Sequence, residues 1–477
     1  MRLSIYILFI ALTFNSCKKE VTMDEGDYAF IGGEIINPVD NKVLLSKSNV
    51  IIDTILLDQK NRFLYKINDI ESGLYAFKLQ AYNAIEFQLA LLEPNDSIML
   101  RLNTMDFDES LVYTGKGAKK NNYLINMFLK NEEDNKKFLE YSQLKPIIFE
   151  SHLDSLHAIR HNNLQEFILK YNPSNLFKDI AQGNIDYNYY ISKEIYPFIY
   201  YGDNEIKNLE SLPENFYSYR KNINYNDETL KDYFTYYSFL RYHFRNLSHS
   251  EHLKHSKDST FDRGSFNYNL GRLKLIDSLI SIEDIKNPLL SMSTMSFINN
   301  SKDLDGFDTL LDFYYEKCSD NADKNHIKKL VNSLQHLKPG NKIPNVTLLN
   351  YKNEELDLNA LIKKPTVIHF WSREYKSHFK ESHNKVKELK NKYPEVNFIS
   401  INIDEPNVRS NYKVLVQYNY STKGEYQLKN PKAGKQALAI NPIIKVMVID
   451  KKGKIAEAHT NMFSIHFEEQ LLGLINK

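Results

Sequence analysis

The sequence predicts a multidomain α and β protein: an N-terminal antiparallel β sandwich, a central α-helical region and a C-terminal α/β unit. Three observations carry this. Over residues 28–115, short runs rich in β-branched and aromatic residues are separated by turn signals every ~8–12 residues, as in a sandwich or barrel. Over 118–336, apolar residues return at three- and four-residue spacing, glycine is sparse and strand-like alternation is weak. Over 339–477, a buried apolar strand, a helix, a second strand, a turn-linked pair of strands and a last helix follow in order. At 477 residues the chain exceeds one domain of ~100–200 residues, and its 42% apolar content can fill sizeable cores.

In the first segment the strands are 28–36, 42–45, 50–57, 62–67, 73–79, 85–92 and 97–102. Asn37-Pro38-Val39-Asp40-Asn41 and Asp58-Gln59-Lys60-Asn61 are the clearest turns. The helical segment breaks at Asn172-Pro173-Ser174, at Ser211-Leu212-Pro213 and across the polar stretch 256–265, and Pro288 starts or interrupts a further helix. In the last segment 346–349 and 355–361 form a first hairpin-like strand and short helix, and 366–370 is a buried strand. A helix follows over 376–393 with Val386 and Leu389 inward. Strands 396–403, 443–449 and 454–459 and a helix over 467–475 complete the unit, with Asp450-Lys451-Lys452-Gly453 as the hairpin turn.

The first 16 residues read as a signal peptide: Arg2, then an apolar core too short to cross a bilayer, which takes about 20 residues. Phe14-Asn15-Ser16-Cys17 resembles a bacterial lipobox, which makes Cys17 the lipidation site and 17–27 a polar tether to a membrane. An ordinary signal peptide with an incidental cysteine is the other reading. Arg2 is the only charged residue in 1–16, so the remainder carries equal numbers of basic and acidic residues. With no long basic run, nucleic acid is not an expected partner. Cys17 and Cys318 are the only cysteines. Cys318 follows a helical run and reads as a buried structural thiol rather than a reactive one.

The stretch Val367-Ile368-His369-Phe370-Trp371-Ser372-Arg373-Glu374-Tyr375-Lys376-Ser377-His378-Phe379-Lys380-Glu381 resembles the active-site strand and helix of membrane-anchored thioredoxin-like (TlpA/ResA-type) disulfide reductases, which read roughly F-W-A-S-W-C-x-x-C-x-x-E. Gly340 with Pro344, Glu381, and Pro442 at the family's cis-proline position extend the likeness over 339–477. Residues 28–115 are similar to the small β domain that precedes such units in Bacteroidetes lipoproteins, through Gly33 to Ile35, Ile52-Asp53-Thr54, Phe63, Gly73-Leu74-Tyr75, Glu93-Pro94-Asn95-Asp96 and Tyr113-Thr114-Gly115. Residues 118–336 carry no such likeness.

Tyr375 stands where the resemblance places the attacking cysteine, and His378 where it places the resolving one. Thiol–disulfide exchange needs a thiolate to attack and a second thiol to resolve. A phenol oxygen cannot form the reversible sulfur–sulfur bond. His369 occupies a position where the family often carries a buried Asp or Asn that handles protons. Either it forms a proton-active or metal-binding pair with His378, or it is a hydrogen-bonded histidine beneath an inactive site. His383 is about 140° around the helix from His378 and does not complete a metal site. His249, His252 and His255 with Glu251 have helical spacing but sit in a polar stretch that reads as an exposed helix end. Gly-rich phosphate loops, G-x-S-x-G and H-E-x-x-H do not occur, so no cofactor or metal is expected.

The resemblance, stripped of its cysteines, implies a lipid-anchored envelope protein on the periplasmic face or outer membrane. Its redox-inactive thioredoxin-like domain would bind extended peptide or another envelope protein through Trp371, Tyr375, His378, Asn441 and Pro442. The alternative is a thiol–disulfide oxidoreductase with a non-standard site, working through Cys318 or through His369, Tyr375 and His378.

Overall fold

The computed structural model describes residues 26–48, 50–80, 85–202, 212–255, 261–301, 306–441 and 443–475. The expected signal segment, Cys17, most of the tether and Pro442 lie outside these residues.

Eight strands come first: β1 (Tyr28–Ile36), β2 (Lys42–Lys47), β3 (Val50–Leu56), β4 (Arg62–Asn68), β5 (Gly73–Gln80), β6 (Ile85–Leu92), β7 (Ser97–Asn103) and β8 (Val112–Lys116). They form two four-stranded sheets, ordered β4-β1-β7-β8 and β3-β2-β5-β6. Period-two alternation turns Ile98, Leu100 and Leu102 of one sheet and Tyr75, Phe77 and Leu79 of the other into a shared apolar cluster. One pairing corrects the purely antiparallel expectation: β1 and β7 run parallel, from Phe30 opposite Ser97 to Ile36 opposite Asn103. Five strands separate them in sequence, so no tight turn fixes their relative direction. Gly33 makes this pairing possible. A Cβ there would lie 2.1 Å from the Leu100 carbonyl oxygen.

Eight helices follow: α1 (Ala118–Tyr141), α2 (Pro146–Tyr171), α3 (Asn175–Tyr200), α4 (Phe234–His255), α5 (Phe266–Leu279), α6 (Glu283–Asn300), α7 (Phe307–Lys317) and α8 (Asn321–His336). Ser174 ends the first predicted break by capping α3, its hydroxyl accepting from the Phe177 amide at 3.2 Å. Pro288 lies inside α6. Having no N–H, it cannot bond the Asp284 carbonyl one turn back, and that carbonyl accepts the Tyr237 hydroxyl instead. A buried charge cluster ties α3 to α4. The fully buried Glu194 carboxylate accepts from Arg220 Nη2 at 2.6 Å, Tyr219 OH at 2.7 Å and His243 Nδ1 at 2.7 Å. Burial works to raise the Glu194 pKa, but His243 and Arg220 outweigh it and hold the group down at about 2. His249 is buried against the Phe198 and Phe261 rings, which corrects the expectation of an exposed helix end. Among the described residues no group of His, Cys, Asp and Glu could hold a metal ion. Cys318 caps α7 in the helical core at 1% exposure, as a structural cysteine should. Among the described residues no helix is long and apolar enough to cross a membrane.

The C-terminal unit is built on a seven-stranded sheet. Its elements are β9 (Thr347–Leu349), β10 (Glu355–Asp357), α9 (Leu358–Leu361), β11 (Thr366–Trp371), α10 (Lys376–Lys392), β12 (Asn397–Asn402), α11 (Val408–Gln417), β13 (Glu425–Leu428), α12 (Pro431–Ala437), β14 (Val446–Ile449), β15 (Ile455–Thr460) and α13 (Phe467–Ile475). The order is β10-β9-β13-β12-β11-β14-β15, with β11 parallel to β12 and antiparallel to β14. This is the strand–helix–strand, hairpin and helix succession expected of a thioredoxin-like unit. One apolar cluster runs from the helices into this sheet, joining Tyr314, Ile327 and Leu330 to Ile368, Phe370 and Met447.

Candidate functional site

All six residues of β11 are buried, so the strand delivers its C-terminal end to α10 from inside the sheet. The Ser372–Glu374 loop between them is clamped by Asp404, just past β12. The Asp404 carboxylate accepts from the Ser372 hydroxyl, from the Arg373 amide at 2.9 Å and from Asn402 Nδ2 at 3.1 Å. Arg373 Nη1 donates on to Ser410 Oγ at 2.8 Å. This clamp sets Tyr375 at the N-terminal cap of α10 with 53% of its surface exposed. His378, one turn into the helix, donates from Nε2 to the Phe370 carbonyl at 3.0 Å and so ties α10 to the end of β11.

Beneath these residues lies a sealed polar cluster. Trp371 has no exposed surface, and its indole Nε1 donates to Glu425 Oε2 at 3.2 Å. Trp371 is therefore not a contact surface for a partner. It points into the fold, where Phe379 and His383 close over its ring with centroids 4.9 and 5.5 Å away. His383 donates from Nδ1 to the Phe379 carbonyl at 2.7 Å and faces Glu425 through Nε2 at 3.4 Å.

The structure brings His369 to His383 rather than into a pair with His378, one of the two readings of the sequence, with ring centroids 5.5 Å apart. The reason is direction: His383 is on the sheet-facing side of α10, while His378 reaches back to the strand end. The His369 Nδ1 lies 3.4 Å from Ser400 Oγ, and its Nε2 is buried without a hydrogen bond. Burial first, and then the charges of His383, Lys390 and His378, hold the His369 pKa well below the usual imidazole range. It is a neutral ring under the site, with no open path to a substrate.

Asn441, the last described residue before Pro442, is half-buried and opens on a cavity of about 590 Å³ shared with α8 and α12. The preceding turn is pinned by Lys445, 1% exposed, whose Nζ donates to the Leu438 and Ala439 carbonyls at 2.9 and 3.1 Å. Burial pushes the Lys445 pKa down to about 7. Pro442 itself lies outside the described residues.

Four residues that shape the site were not singled out in the sequence: Asp404, His383 as an inward group, Glu425 and Lys445. Glu425 opens the polar strand β13 and Lys445 sits among apolar residues of the predicted 443–449 strand, and both look like solvated charges in the sequence. Asp404 alone had a signal, an acidic residue directly after a buried strand end.

No protein-family model and no curated protein sequence matches the chain. Among solved structures, a Bacteroides vulgatus protein assigned as a thiol-disulfide oxidoreductase is 19% identical, covering 29% of this chain and 97% of that one with a TM-score of 0.27. A thiol:disulfide interchange protein from a Bacteroides species is 14% identical, covering 30% and 93% at a TM-score of 0.25. The thioredoxin domain of a thiol-disulfide oxidoreductase from B. vulgatus is 16% identical, covering 29% and 99% at 0.24.

Proposed function

We propose that the C-terminal unit is a redox-inactive platform that binds an extended peptide or a segment of another envelope protein, and that lipidation at Cys17 holds the chain at a membrane. The observation that supports this most is Tyr375: a half-exposed aromatic side chain on a clamped loop, at the position where the resembled family carries its attacking thiol. Tyrosine presents a large contact area at low entropic cost, and a fixed loop reduces the ordering cost of binding. The neighbouring His378 is committed to the Phe370 carbonyl, and Cys318 is buried in the helical core.

Two measurements on the full chain test the proposal. Insulin reduction should show no turnover above background, and the same for Cys318→Ser. Turnover that Cys318→Ser abolishes would replace the platform with the oxidoreductase reading. Binding of extended peptides should weaken about tenfold or more in Tyr375→Ala and in Asn441→Ala, the range of an interface hot spot. Unchanged binding in both variants would refute the site.

A further inference from the structure

We infer that the cleft between α8 and α12 reads acidic side chains, so that the peptide held at Tyr375 and Asn441 is an acidic one. The inference rests on the platform reading for the extended form of the ligand and goes beyond it in naming the chemistry and the second wall. The cavity at Asn441 is lined from α8 by His326 and Lys329 and from α12 by Lys432 and Lys435, with Glu405 as the one carboxylate. Lys429, just before α12, is neutralised by Glu355 at 2.6 Å. Lys329, Lys432 and Lys435 form no ion pair with a described residue. Uncompensated cations around a concave surface give it a positive potential that attracts and orients carboxylates.

The cleft also has the length for a peptide. A second cavity of about 560 Å³ lies further along α8, lined by Ser333 and His336 and by Lys342 of the C-terminal unit. A helix of 16 residues such as α8 spans about 24 Å, which about seven residues of extended chain would cover. Glu405 in the cleft's lining directly follows Asp404, the residue that clamps Ser372 and Arg373.

Fluorescence anisotropy on the full chain tests this with labelled octapeptides of alternating Glu and Val, or of Gln and Val. The Glu peptide should bind about tenfold or more tightly than the Gln peptide at 50 mM salt and lose that margin at 500 mM. The triple variant Lys329→Glu, Lys432→Glu, Lys435→Glu should lose the preference while keeping its melting temperature, since all three side chains are exposed. Equal binding of both peptides, or a preference that survives the triple variant, would overturn the inference and leave the platform intact. A preference that the triple variant abolishes but Tyr375→Ala and Asn441→Ala do not touch would keep the basic cleft and remove the platform. Free glutamate competing at the peptide's own affinity would also overturn it, by making the site one for a small anion.

Discussion

Replacing Lys445 with methionine should change how stability depends on pH. The side chain is 1% exposed, and burial lowers its pKa from 10.5 to about 7. Between those values the unfolded chain holds a proton that the folded chain does not, so wild-type stability rises with pH across this window and the full cost of the buried charge is felt below pH 7. Each pH unit is worth 1.36 kcal/mol, so stability gains about 2–3 kcal/mol between pH 7 and pH 9 from this group alone. Lys445→Met keeps an unbranched stem in the same space but has nothing to titrate. It also leaves the Leu438 and Ala439 carbonyls without their donor, a cost of about 1–3 kcal/mol that does not vary with pH. Urea melts of both proteins at pH 6, 7, 8 and 9 give the difference in unfolding free energy at each pH, and the other titrating groups cancel in that difference. It should widen in favour of the wild type above pH 7. Parallel profiles would show that Lys445 keeps its proton in the fold and that the turn before Asn441 is held by a cation throughout.

Arg220→Ala leaves the fully buried Glu194 carboxylate without its arginine partner and should cost about 3–5 kcal/mol in denaturant melts. Because Glu194 is held at about 2 against an ordinary 4.5, the wild type keeps this contribution above pH 4.5 and loses it as pH falls toward 2; the variant should show a flatter acid limb. Gly33→Ala sets a Cβ against the Leu100 carbonyl and should cost about 2–3 kcal/mol, seen as a lower melting temperature; an unchanged melt would mean that β1 and β7 do not pair as described. Trp371 is the only tryptophan, so the chain's tryptophan emission reports this residue directly. The emission should be blue-shifted and poorly quenched by acrylamide, and Trp371→Phe should cost about 1–3 kcal/mol without altering peptide binding. Strong quenching would return Trp371 to the surface.

Local pattern determined much of this protein. The apolar and β-branched run 366–370, interrupted only by His369, reads as a buried strand, and the strand runs from Thr366 to Trp371. Asn-Pro-Ser at 172–174 and the Asp-Lys-Lys-Gly turn at 450–453 punctuate the chain where the elements end, because capping and turn chemistry act over a few residues. The absence of thiols at positions 375 and 378 is likewise a fact of the sequence. The elements that escaped notice, α11, β13 and α12, lie where buried positions are polar: Glu425 and Gln427 face inward in β13, and Asn411 does so in α11. A hydrophobic pattern has no way to register a carboxylate whose partners are an indole and an imidazole from another strand and helix. Only the tertiary structure decided that His369 meets His383, that Trp371 is sealed, that β1 and β7 run parallel, and that α8 supplies the basic wall beside Asn441. Each of these depends on which distant segments share a face, a property of packing that residues close in sequence do not encode.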